Sequence, residues 1–102
     1  MNLFKELPHD LGEETFEDLL CHGNLRIERI VSHGQTSPEE GWYDQDENEW
    51  VLVIKGTGEL TFENGMVKRL EAGDYVNILA HTKHRVSWTD PNQETIWLAV
   101  FY

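Results

Sequence analysis

From Leu25 to the C-terminus the chain is a succession of short apolar or alternating runs, each closed by a turn signal. The runs are Leu25–Ser32, Trp50–Lys55, Gly58–Glu63, Met66–Leu70, Tyr75–Leu79, His84–Thr89 and Thr95–Tyr102. Segments this short, rich in β-branched and aromatic residues and broken by Gly, Asn, Asp and Pro, specify strands and leave no length for a helical core. The breaks have a chemical reason to turn. Gly56-Thr57-Gly58 and Glu71-Ala72-Gly73-Asp74 supply glycine, Glu63-Asn64-Gly65 holds the Asn-Gly pair favoured in hairpins, and Asp90-Pro91-Asn92 is a turn tripeptide. Many short strands must hide their edges, so the expected class is all-β, closed either as a barrel or as a double-sheet jelly roll. The N-terminal stretch reads two ways. Phe16, Leu19 and Leu20 have helical spacing, which predicts a short helix or irregular segment near the N-terminus. The same residues could instead open a hairpin that closes at Gly23-Asn24.

A chain of 102 residues makes one domain, spanning 1–102, with enough buried surface for its own core. Its 19 acidic residues against 8 basic ones leave a net charge of −11, a balance that repels phosphate backbones and anionic lipid. Nucleic-acid and membrane-surface roles are therefore not expected. The single cysteine, Cys21, forbids an internal disulfide, and MNLFKELPHD lacks the basic and apolar regions of a signal peptide. The longest apolar run, Ile96 to Tyr102, falls far short of the roughly 20 residues that span a bilayer. A soluble, cytoplasmic protein is expected. The apolar run Thr95–Tyr102 would be an association hazard on an open sheet edge, so it is expected to pair inside the barrel or across a homodimer.

Between Gly41 and Trp88 the sequence resembles the small single-domain cupins. E-W-V-L-V-I-K-G, from Glu49 to Gly56, matches the end of the first cupin motif, and G-D-Y-V-N-I-L-A-H-T-K-H, from Gly73 to His84, follows the second. The departures are specific. Leu79 stands at the second motif's proline, His81 at its second glycine and Trp88 at its trailing asparagine. The His-x-His pair of the first motif is absent: depending on the gap, its positions hold Tyr43 and Gln45 or Trp42 and Asp44. The resemblance implies a cupin-like double-stranded jelly-roll β-barrel, a homodimer and a site for a divalent metal ion such as zinc, iron, manganese or nickel.

The resemblance carries over two donors directly, Glu49 and His84. His81, three residues before His84, is a further candidate, with either Asp44 or Gln45 completing the set. Strand alternation from 43 to 49 favours Gln45, and a bulge would favour Asp44. Two histidines and a carboxylate match the facial triad of non-haem iron sites in ligand type. Trp42, Tyr43 and Glu47 are the candidate ligand-pocket residues, an unligated Glu47 or Asp44 being a possible general base. Rival motifs fail. The acidic stretch from Asp44 lacks the glycine and the terminal glutamate of an EF-hand, and Gly56-Thr57-Gly58 is followed by no Gly-Lys-Ser/Thr. The expected function is a cupin that binds a divalent metal and a small organic substrate in its barrel. The alternatives are a cupin that binds a small ligand without metal, or a structural homodimer.

Overall fold

The computed structural model describes residues 1–10 and 12–102. Eight strands follow one another: β1 (Thr15–His22), β2 (Leu25–Ser32), β3 (Glu49–Lys55), β4 (Thr57–Phe62), β5 (Val67–Glu71), β6 (Tyr75–Ile78), β7 (His84–Thr89) and β8 (Thr95–Phe101). They form a five-stranded sheet, β1-β2-β8-β3-β6, and a three-stranded sheet, β5-β4-β7, with every pairing antiparallel. This is the all-β class expected of the turn pattern, in the jelly-roll form that the cupin resemblance implies.

The helical spacing near the N-terminus is overridden. Phe16, Leu19 and Leu20 lie in β1, which pairs with β2 through the Gly23-Asn24 turn and carries a bulge between Asp18 and Leu20. That extra residue shifts the apolar spacing away from simple alternation, which is why the stretch reads as helical. The described residues before Thr15 form turns and bends and no helix. The C-terminal strand is not an edge: β8 sits between β2 and β3.

Register explains how the interior is built. Across the large sheet, Val53, Trp97, Ile30 and Phe16 form one inward row, Val51, Ala99, Glu28 and Asp18 the next, and Glu49, Phe101 and Arg26 a third. The core packs Val51, Val53, Leu60, Phe62, Leu70, Ile78, Trp97, Ala99 and Phe101 between the sheets. Gly58 is required where β4 passes beneath Trp97, since a Cβ there would lie 2.4 Å from the indole ring. On β7 the register shifts opposite Glu59 and Leu60, so that Val86 pairs with Leu60 and Trp88 with Glu59. His84 and Val86 thereby face the interior, whereas Trp88 packs beneath Arg69.

Candidate functional site

A cavity of about 200 Å³ remains between the two sheets. Its walls are mostly apolar, with Val51, Leu60, Ile78, Val86, Trp97 and Phe101 among them, and Glu14, Glu28, Gln45, Glu49 and His84 supply its polar groups. Such a mixture, apolar walls with a few placed polar groups, is the usual composition of a small-molecule site.

His84 is the polar centre. Its side chain is 4% exposed. Nδ1 donates to the Thr82 carbonyl at 2.7 Å, because a carbonyl can only accept. That bond leaves Nε2 facing Glu49 Oε1 at 3.4 Å. Gln45 Nε2 donates to the same carboxylate oxygen at 3.1 Å. Burial would push the His84 imidazole down, but its bonds to Glu49 and to the Thr82 carbonyl, with the Glu49 charge, outweigh it and the net shift is upward. Tyr43 closes this end. Its backbone pairs with that of His84, N to O at 2.8 Å, and the two rings are 5.7 Å apart.

The other end is built by β2 and the residues just before β1. Ser32 donates to the Glu14 carboxylate and accepts from Trp97 Nε1 at 3.2 Å. Glu28, only 7% exposed, takes Arg26 Nη1 on Oε2 at 2.9 Å. Burial pushes the carboxyls of Glu14 and Glu28 above the ordinary glutamate range; the Ser32 bond opposes this at Glu14, as the Arg26 charge does at Glu28.

The structure divides the residues singled out from sequence. Glu49, His84, Gln45 and Tyr43 line the cavity together. Of the two alternatives, Gln45 stands beside Glu49, although the segment before Glu49 is loop rather than strand. His81 and Asp44 meet outside the cavity: His81 Nδ1 lies 2.9 Å from Asp44 Oδ1, and Nε2 lies 3.4 Å from Asp46. His81 adopts φ 61, the left-handed conformation that the motif's glycine would take freely, so the turn is kept while its side chain, 64% exposed, stays at the surface. Glu47 pairs with Arg26 at 3.2 Å and Trp42 packs against Arg85, neither of them lining the cavity.

Sequence reasoning missed Glu14, Phe16, Glu28, Ile30, Ser32 and Phe101. For β2 a signal existed: Arg26, Glu28, Ile30 and Ser32 share one face by alternation, which puts a carboxylate beside an apolar residue on a single face. Glu14 and Phe16 carried none, since the β1–β2 hairpin is local but only the long-range pairing of β2 with β8 sets that hairpin against the cavity.

A cupin-domain sequence profile matches residues 28–101, well over half of the chain. The protein belongs to the cupin family. Among solved structures, this cupin is similar to a candidate mannose-6-phosphate isomerase of Ralstonia eutropha JMP134, with 41% identity, a TM-score of 0.94, and 99% of this chain and 94% of the other covered. A cupin superfamily protein of Desulfitobacterium hafniense DCB-2 superposes with a TM-score of 0.77 at 14% identity, over 93% and 82% of the two chains. A double-stranded β-helix protein of Klebsiella pneumoniae superposes with a TM-score of 0.79 at 20% identity, over 99% and 86%. These last two share the fold alone. No curated protein matches at the sequence level.

A transition-metal centre needs three or four imidazole, carboxylate, thiolate or amide-oxygen donors converging on one point. Here His84 and Glu49 supply two, and Gln45 turns its N–H rather than its oxygen toward Glu49. Among the described residues no group of three His, Cys, Asp or Glu side chains stands close enough to hold an ion. The donor set does not fit a resident transition metal.

Proposed function

We propose that this cupin binds a small organic molecule in its barrel cavity without a resident metal, and that the Glu49–His84 pair anchors the ligand's polar group. The observation that carries the reading is the division of the candidate donors: the cavity keeps Glu49, His84 and Gln45, while His81 and Asp44 meet at the surface. The Thr82 carbonyl fixes the imidazole so that Nε2 and the Glu49 carboxylate face one another at 3.4 Å in a water-poor site. Such a pair can donate to a ligand carbonyl or accept from a hydroxyl, and would serve a general acid equally well.

A sugar-phosphate isomerase, the description attached to the Ralstonia relative, finds less support here. Among the described residues no Lys or Arg lines the cavity, so a phosphate dianion would meet carboxylates with no cation to hold it.

The test is a thermal-shift screen of neutral and charged metabolites on untagged protein, run with and without EDTA, against His84→Ala. Ligands that raise the melting temperature of the wild type, are indifferent to chelator and lose their effect in His84→Ala are expected. A ligand effect that disappears with EDTA and returns with zinc, iron, manganese or nickel would overturn the metal-free reading.

A further inference from the structure

We infer that the cavity selects a small organic monocation, an ammonium group carried on a ring or short apolar body, with Glu14 as its counter-ion. This rests on the reading that the cavity binds a ligand, and adds the ligand's charge and shape.

Three carboxylates, Glu14, Glu28 and Glu49, line one cavity. Two have partners: Arg26 pairs with Glu28, and His84 faces Glu49. Glu14 has the Ser32 hydroxyl and, among the described residues, no cation. Glu14 is therefore the one of the three with neither a guanidinium nor an imidazole beside it among the described residues. Arg26 is not free to supply the missing charge, because the same guanidinium also binds Glu47 at 3.2 Å and lies 4.0 Å from Asp18. The buried Glu28 points the same way independently. At 7% exposure it receives Arg26 on Oε2, and that guanidinium is shared with Glu47 and Asp18. Carboxylates buried this way are expensive unless a donor or cation completes them. The upward shift that burial gives Glu14 and Glu28 is what a missing counter-ion would leave.

The walls complete the argument. Phe16, Tyr43, Trp97 and Phe101 bring aromatic rings to the cavity, which can pack an apolar body and attract a cation to a ring face. An apolar cavity of roughly 150 Å³ takes up benzene. The about 200 Å³ here leaves room for a ring and a short ammonium-bearing arm. Anions of the same size are rejected by the same charges that hold the cation, which is selectivity through repulsion as well as attraction.

Isothermal titration at pH 7 and low salt with benzylamine, benzyl alcohol and benzoate separates charge from shape. Benzylamine, an ammonium at this pH, is expected to bind at least about tenfold tighter than benzyl alcohol, with benzoate weakest. Glu14→Gln keeps an acceptor for Ser32 and is expected to bring the affinity for benzylamine down to that for benzyl alcohol. Equal affinity for amine and alcohol, or tighter binding of benzoate, overturns the charge selection and leaves the ligand-binding reading standing. No binding of any of the three overturns the proposal, and a blank thermal-shift screen beside it would overturn the ligand-binding reading too.

Discussion

Ser32, buried at 1% exposure, accepts from Trp97 Nε1 and donates to Glu14, so one hydroxyl orients both an indole wall and a carboxylate of the cavity. Ser32→Ala removes the acceptor of a buried indole N–H and the donor to Glu14 together. The expected loss is about 1–3 kcal/mol of stability, measured by chemical denaturation, because each group is left with its desolvation cost and no partner. A loss within experimental error would mean that water replaces the hydroxyl and that Trp97 is held by packing alone. At this scale the sequence was informative only where a motif fixed the position. Glu49 and His84 were legible because the cupin spacing names them. His81 was not placed by its spacing, because which way a turn residue projects depends on its φ, and His81 takes the φ 61 of the glycine it replaces.

Among the elements, β1 was legible only as one of two readings, because its bulge breaks the alternation, and the N-terminal segment before it was the least legible for a long-range reason. The segment has no periodicity of its own and is held by Arg29 of β2, whose guanidinium donates to the carbonyls of Leu3, Lys5 and Glu6 and to the Glu17 carboxylate. A buried arginine whose Nη groups are taken up by carbonyls far off in sequence leaves no local signal, whereas β3 to β8 announced themselves through alternation and turn residues. Arg29→Ala is expected to release residues 1–8 from the sheet. Brief trypsin digestion should then cleave after Lys5 at least several-fold faster than in the wild type, while the barrel stays intact by circular dichroism. Unchanged cleavage would show that the segment is held by its apolar contacts. Loss of the whole fold would show instead that β1 cannot pair without it.

For the whole molecule, an acidic chain built around acidic groups should gain stability as the pH falls. Glu14 and Glu28 have native values above the ordinary glutamate range, with burial the largest cause, so the native state takes up protons before the unfolded chain does. Their contribution is complete below the ordinary glutamate value and is lost as pH rises through the higher native one. His84 has the same sign: its contribution is complete below the ordinary histidine value and fades above it. Asp90 is opposed in sign, lowered by the Asn92 N–H and by Gln93, but it acts only near the bottom of the aspartate range. Weakening self-repulsion in a chain of net charge −11 adds in the same direction as the glutamates. The melting temperature should therefore rise between about pH 8 and about pH 5.5, by several degrees for a domain of this size. Salt separates the contributions, because about 0.5 M NaCl screens the surface charges and reaches the buried groups far less. The part of the rise that survives in salt belongs to Glu14, Glu28 and His84, and Glu14→Gln should remove a share of it. A profile that salt flattens completely would mean that the cavity carboxylates ionise as freely as surface ones, and the charge imbalance argued for the cavity would then have no energetic consequence.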